Sequence, residues 1–357
     1  MSAPVKVAIT GLGFANSMIP GYQSCPDTRV ILIHDIDEAR ARKVSREHGD
    51  APFTLRWQDV LDSNADLVEI ATPNHLHAAQ ALEALQAGKH VLVEKPLAPT
   101  VSECRALCAA ARQTGKRLGV NMTMLNEPLY HSLKAMLQRG LLGKIASVRI
   151  RAAHRILLQR QDKNHWRASK AHVGGGSFMQ LAVHPLNLVQ WLLGDEVVRV
   201  CGFAKNLYCQ HSIEGEDVVT AAGEFQSGAG LVMESGYSSP AKGLAIYGTE
   251  GHFAIEDGYL KLEAREAYRD GRLEYPGAGH APGQTVYYGP EVLKRFDEEE
   301  RRSPDLQHLL FARAMRDGTP FEMTGEIGLR DVACVQAVYR AAETGRTVAV
   351  REILDEP

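Results

Sequence analysis

No stretch of the chain approaches the ~20 consecutive apolar residues of a membrane-spanning helix, and neither sign of charge is in excess. The 357 residues carry 40 Lys and Arg against 43 Asp and Glu, a formal net charge of -3. That balance lacks the electrostatic footprint of a nucleic-acid or anionic-membrane partner. Cysteine is sparse and unpatterned: Cys25, Cys104, Cys108, Cys201, Cys209 and Cys334, with no CxxC pair. Cys104 and Cys108 are one helical turn apart, but no neighbouring ligand cluster supports a metal. The six read as free thiols, in the core or partly buried, in a reducing cytoplasm. No internal repeat or low-complexity tract is present. The first strand begins by Val5, which leaves no room for a secretory signal, so the expected compartment is the cytoplasm.

What is present is a soluble globular composition, 45% hydrophobic and 23% charged. A length of 357 residues predicts two domains, because single cores stop growing near ~250–300 residues. The first third alternates apolar runs at 5–10, 30–35, 67–72, 90–94 and 117–122 with helical patterns at 37–48, 76–87 and 100–114. Thr100 and Ser102 open the last of these and Gly115 closes it. Strands that are continuously apolar imply a parallel sheet covered on both faces, with ligands beyond the strands' carboxyl ends. After Asn121 the pattern changes. A helix near 127–139 precedes short, often alternating runs at 145–154, 197–207, 217–226, 229–238, 244–248 and 251–263. These predict a mostly antiparallel sheet, interrupted by an apolar helix at 177–193. Residues 276–290 read as an irregular loop rich in Gly and Pro, Asp297–Arg302 as a solvated helix face, and 304–316 and 325–344 as closing helices. The expected division is 1–122 and 123–357.

The most specific local signal is Val5-Lys6-Val7-Ala8-Ile9-Thr10-Gly11-Leu12-Gly13-Phe14-Ala15-Asn16. An apolar strand, a turn with glycine at its first and third positions, a following helix and a later acid at Asp35 form a dinucleotide-binding unit. Gly11 permits the tight turn, and Gly13 lets the backbone approach a pyrophosphate seated on the helix N-terminus. Asp35, beside Ile36, stands where an acid accepts both ribose hydroxyls. Its charge repels a 2′-phosphate and favours NAD over NADP, a preference tempered by Arg40 and Arg42 nearby. The third glycine of the fingerprint is replaced by Asn16. An ordinary glycine turn in an α/β domain is the plainer alternative.

Other strand ends carry further candidates. Lys95 lies between Glu94 and Pro96, at the mouth where a nicotinamide would sit. A lysine there can hydrogen-bond a substrate hydroxyl and stabilise the alkoxide as hydride leaves; a surface lysine paired with Glu94 is the bland reading. Pro96 suits a cis peptide. Gly174-Gly175-Gly176 reads as a flexible loop entering the helix that bears Gln180 and His184, four apart and so on one helical face. A histidine near neutral pKa suits removal of a hydroxyl proton, although a satisfied structural histidine fits that pattern equally well. His165 and His172 are weaker rivals in a loop with Trp166 and Arg167. Thr72, Pro73, Asn74 and His77 could contact the cofactor, with Asn74 capping its helix. Neither HxxxH nor an acid-rich cluster supports a metal.

Taken together, Gly11-Leu12-Gly13, Thr72-Pro73-Asn74 with His77, Glu94-Lys95-Pro96, Gly174-Gly175-Gly176, His184 and Gly248-Thr249-Glu250-Gly251 resemble the Gfo/Idh/MocA oxidoreductases over nearly the whole chain. The resemblance implies a doubly wound Rossmann domain followed by an α/β domain with an open, mostly antiparallel sheet, whose exposed face builds homodimers or homotetramers. It implies an NAD(P)-dependent enzyme oxidising a sugar, sugar derivative, glycoside or cyclic polyol. By position, Lys95 would activate the hydroxyl and His184 would be the acid/base. Gln180, Asn187, Asn121, Trp166 and Arg167 would bind substrate, the last two from a lid loop. Three departures stand out. Gln180 and Asn187 occupy places where the family commonly has acids, and Met124-Leu125 replaces a basic-aromatic pair, which reshapes the pocket entrance. A neutral amide binds a hydroxyl without raising the histidine pKa. Either the substrate departs from a simple inositol or hexose, as a glycoside or acidic sugar would, or proton transfer relies on Lys95 or another histidine. A redox-neutral glycoside-cleaving cycle with tightly held NAD is one alternative function, and a non-catalytic NAD-binding sensor is another.

Overall fold

Continuous apolar runs do form a parallel sheet. The computed structural model describes residues 3–155, 163–237, 241–256, 259–263, 286–288 and 306–356. Strands β1 (Val5–Thr10), β2 (Thr28–His34), β3 (Phe53–Thr54), β4 (Leu67–Ile70), β5 (His90–Glu94) and β6 (Leu118–Asn121) form one sheet in the order β3-β2-β1-β4-β5-β6. Every pairing is parallel, and helices such as Asn74–Gln86 and Val101–Thr114 make the crossovers. Thr100 caps the latter in a reciprocal pairing with Glu103, and Gly115 ends it in the left-handed conformation.

The helix after the glycine turn is in two pieces, Leu12–Ala15 and Ile19–Ser24, with Pro20 opening the second. Asn16 lies between them. Its Oδ1 accepts from His48 Nε2 at 2.7 Å, so the residue in the third-glycine position ties the turn to the end of the next helix.

The second sheet comprises β7 (Ile145–Ala153), β8 (Val197–Lys205), β9 (Val218–Phe225), β10 (Gly230–Gly236), β11 (Lys242–Gly248), β12 (His252–Glu256), β13 (Tyr259–Glu263), β14 (Val286–Tyr288) and β15 (Val348–Ala349). Their order is β14-β13-β12-β11-β7-β10-β9-β8-β15. The sheet is mixed: β7 and β10 are parallel and the other neighbours antiparallel. The run expected at 251–263 is two strands, β12 and β13. Of the loop expected at 276–290, residues 286–288 are strand β14 and the remainder lies outside the described residues, as does Asp297–Arg302. All six cysteines are free; Cys201, on β8, is exposed rather than partly buried. No helix among the described residues is long and apolar enough to cross a membrane.

Helix Gly325–Thr344 packs against β8 and against helix Val101–Thr114, so it touches both domains. Helix Gln307–Asp317 returns to the first domain, where Leu309, Phe311 and Ala312 join the core formed by Val7, Ile9 and Ile33. Its start is fixed by Gln307 N–H donating to Asn126 Oδ1 at 2.8 Å, and those residues are 181 apart in the chain.

The triple glycine, expected to be flexible, is tightly enclosed. A Cβ on Gly174 would lie 2.4 Å from the Pro99 carbonyl oxygen, on Gly175 2.1 Å from the Tyr339 hydroxyl, and on Gly176 2.0 Å from the Glu216 carbonyl oxygen. Glycine is there for close approach rather than for mobility. Gly176→Ala is therefore expected to destabilise the protein by at least ~1–3 kcal/mol, read as a lower midpoint in urea unfolding.

Candidate active site

A cavity of about 1380 Å³ opens between the domains, at the carboxyl ends of the parallel strands and against the second sheet. Such a switch-point crevice is where doubly wound sheets bind ligands. One half is built from the glycine turn, Asp35 and the Thr72–His77 segment; the other from Lys95, Trp166, Arg167, Gln180 and His184.

In the first half Gly11 has φ +87, and a Cβ there would meet the Ala71 carbonyl carbon at 2.4 Å. At Gly13 a Cβ would meet nothing nearer than Arg40, at 3.9 Å. That open cradle suits a pyrophosphate. Phe14 and Ile36 are 47% and 84% exposed, an apolar pair lining the cavity as an adenine requires. Asp35 is buried at the end of β2. Its Oδ2 accepts from the Leu12 amide at 3.0 Å, its Oδ1 from the Asp37 amide at 3.0 Å, and Arg40 Nη1 reaches both oxygens at 3.0 and 3.1 Å. Arg42 instead faces Glu38. The residues present fit a dinucleotide.

Several expected cofactor residues act from behind this surface. Leu12 and Ala15 are buried, the Leu12 amide is engaged by Asp35, and Asn16 is turned toward His48. His77 is buried, its Nδ1 2.8 Å from the Pro96 carbonyl and its Nε2 2.8 Å from the Thr72 carbonyl. Burial lowers its pKa to about 4, so the neutral ring donates to one of these and staples two cofactor-side loops. Asn74 does not cap: Pro73 holds that position. The Asn74 Nδ2 donates to the Val173 carbonyl at 3.2 Å, joining the two domains. Thr72 Oγ1 donates to Gln80 Oε1 at 2.7 Å.

In the second half the Lys95–Pro96 peptide is cis, and Lys95 Nζ donates to the Gln180 carbonyl at 3.2 Å. Burial lowers the pKa of Lys95; Glu94 opposes that shift and Arg167 adds to it. Glu94 lies directly behind. Its Oε2 accepts from the Lys95 amide at 3.2 Å and its Oε1 from Asn121 Nδ2 at 2.9 Å. Burial pushes its carboxyl pKa up. A π-helical turn, Phe178–Ala182, carries Gln180 and runs directly into the helix Val183–Leu193 that carries His184, a distortion common at functional sites. His184 Nδ1 and Gln180 Nε2 are sealed from solvent with no partner among the described residues, which leaves Nε2 as the imidazole nitrogen a ligand can reach. Burial, Lys95 and Lys242 hold the His184 pKa well below its ordinary value. The Arg167 guanidinium lies over Trp166 at 4.3 Å. His165 lines the cavity, whereas His172 stacks on His75 at 4.1 Å.

Two expected substrate contacts are corrected. Asn121 is fully buried, and its Nδ2 bridges Glu94 and, at 3.3 Å, Glu69 Oε1. Asn187 is also buried, donating to Asp331 Oδ2 at 2.8 Å. Burial raises the Asp331 carboxyl pKa to about 8. Both amides satisfy buried acids and neither lines the cavity. Of the pair Met124-Leu125, Met124 lines the cavity and Leu125 is core. Sequence reasoning missed Lys242 on β11 and Arg151 on β7, which line the cavity from the second sheet. The register pairs Lys242 with Ala152 and Arg151 with Gly243, so the two alternate across the sheet, and neither strand's own pattern tells which residues reach the cavity. Among the described residues no group of three or more His, Cys, Asp and Glu side chains could hold a metal.

Residues 5–122 match the profile of the "Oxidoreductase family, NAD-binding Rossmann fold", and residues 134–350 that of the "Oxidoreductase family, C-terminal alpha/beta domain". The chain is 32% identical to 1,5-anhydro-D-fructose reductase of Ensifer adhaerens over 62% of this chain and 66% of that protein. It is 28% identical to scyllo-inositol 2-dehydrogenase (NAD(+)) of Bacillus subtilis over 89% of this chain and 88% of that one. The aldose-aldose oxidoreductase of Caulobacter crescentus shares the fold at a TM-score of 0.79 and 24% identity, over 97% of this chain and 99% of that chain. The cofactor is NAD. Asp35→Ala is expected to weaken NAD binding by about ten- to a hundredfold, the ~1.5–3 kcal/mol of hydrogen bonds to a charged group. It also frees Arg40 for a 2′-phosphate, so the ratio of NADP to NAD affinity should rise in titrations of both cofactors.

Proposed function

The chain belongs to the Gfo/Idh/MocA oxidoreductase family, and on that premise we propose that it oxidises a secondary hydroxyl of a sugar, sugar derivative, glycoside or cyclic polyol. The observation that carries this reading is the placement of Lys95 and His184 in one half of a cavity whose other half fits the dinucleotide. The chemistry that a bound nicotinamide would supply here is a hydride acceptor for the carbinol carbon. Lys95 supplies a fixed cation to the hydroxyl oxygen as it gains alkoxide character. The neutral His184 takes the hydroxyl proton at Nε2, and the carbon–oxygen double bond forms as proton and hydride leave. Because the His184 pKa is held low, the base is ready at neutral pH without an acid beside it. Trp166 and Arg167 close over the ring. Asn187 serves the buried Asp331 rather than the substrate.

The free cysteines accord with a cytoplasmic protein. The open face of the second sheet carries Phe203, which is 71% exposed, together with exposed Val198 and Val232. We infer that a second copy covers this face in a homodimer or homotetramer. Phe203→Glu should then lower the mass measured by light scattering.

Lys95→Ala should lower kcat by about 10²–10³-fold and His184→Ala by about 10²–10⁴-fold, measured as reduced nicotinamide formed across a panel of polyols, sugars and glycosides. Retention of full turnover by a folded Lys95→Ala protein would sink the proposal. The acid limb of the rate profile should lie below the ordinary histidine range, and removing a nearby cation with Lys242→Met should move it to higher pH. The alkaline limb should fall below the ordinary lysine range, because the Lys95 pKa is lowered and its cation is lost sooner as pH rises.

A further inference from the structure

Resting on the reading of the cavity as a sugar oxidation site, we propose that the substrate is an anionic sugar, its carboxylate or phosphate held by Lys242 and Arg167. The substrate half of the cavity is lined by four cationic side chains, Lys95, Arg167, Lys242 and Arg151, and among the described residues by one acid, Glu94. Glu94 does not face a ligand: its oxygens are turned to the Asn121 amide and to the backbone of Lys95. Asp35, the other acid on the cavity wall, lies in the cofactor half and is bound by Arg40. Arg151 is partly neutralised by Glu234 at 3.4 Å. Lys242 has no ion pair or side-chain hydrogen bond among the described residues. Its charge is felt at His184, where it joins Lys95 in disfavouring the imidazolium.

A neutral polyol brings no counter-charge to the Lys242 ammonium, whereas an anion entering the same cavity does. Gln180, four residues before His184 on the cavity wall, is an uncharged amide, so no carboxylate there repels an anion. The Arg167 guanidinium lies 4.3 Å from the centre of the Trp166 ring, and its planar fork suits two oxygens of a carboxylate or phosphate. The anion also has a role in the reaction. Placed between Lys242 and His184, it screens the imidazole from that lysine and eases arrival of the proton at Nε2.

The test uses the full-length protein with saturating NAD and matched sugars: D-glucuronate against D-glucose, D-galacturonate against D-galactose, and D-glucose 6-phosphate. The expected result is a kcat/KM at least tenfold higher for a charged sugar than for its neutral partner, the scale of one charge-assisted hydrogen bond. That preference should shrink as salt is added. Preference for the uronates identifies a carboxylate ligand, and preference for glucose 6-phosphate a phosphate. Lys242→Met should reduce the ratio about tenfold and Lys242→Arg should keep it. Equal or better oxidation of the neutral sugars overturns the inference while leaving the proposed oxidation standing, as does a ratio unchanged in folded Lys242→Met. If none of these sugars is turned over, calorimetric titration of the NAD-loaded protein with the same pairs decides this inference. Tighter binding of the charged member sustains it, and equal binding overturns it.

Discussion

Keeping a lysine ammonium in a site from which water is largely excluded is the constraint on which the cavity depends. Burial alone favours the neutral amine, and Glu94 opposes that by sitting immediately behind Lys95. The same burial would protonate Glu94 if nothing held its carboxylate, and Asn121 and the Lys95 amide do so. Asn121 in turn spans to Glu69, a fully buried carboxyl on β4 whose pKa burial raises to about 7. Three adjacent parallel strands thus contribute one side chain each to a polar row beneath Lys95. Such a row tolerates little loosening, because every member is a buried group that costs free energy when left unpaired.

The first domain was the most legible part of the sequence. Its strands are buried on both faces, so they read as uninterrupted apolar runs, and the glycine turn and capped helices are local signals. The second sheet was legible in kind, but the parallel pairing of β7 with β10 joins segments far apart and leaves no local mark. The site divided along the same line. Lys95, Gln180 and His184 belong to segments whose order along the chain carries the pattern. Asn121 and Asn187 looked like substrate contacts because each sits where the chain approaches the crevice. Their true partners, Glu94 with Glu69, and Asp331, are set by packing between distant elements. Lys242 was invisible for the opposite reason: nothing near it in sequence distinguishes it from any surface lysine.

The two halves of the cavity handle charge differently. On the side of the glycine turn, Asp35 is held by two backbone amides and Arg40, so its carboxylate is fixed in place by its own neighbours. On the substrate side, the cations converge from β5, the Trp166–Ala168 turn, β7 and β11, and no single element sets their spacing. Specificity for the dinucleotide is therefore a local property of one strand-turn-helix unit, whereas specificity for the substrate depends on how two domains sit together. The enclosed Gly174–Gly176 segment and the Asn74 bond to Val173 fix that relative placement.

The return of helix Gln307–Asp317 to the first domain carries a consequence for biosynthesis. A nucleotide-binding domain read from its own strands looks ready to fold as soon as it leaves the ribosome. Here Phe311 and its neighbours fill part of that domain's core, with Phe311 lying against Gly119 on the last parallel strand. Until those residues are translated, the nascent first domain exposes an apolar surface that nothing local can cover. Most of the second domain is synthesised during that interval, so vectorial folding of this chain finishes its first domain late.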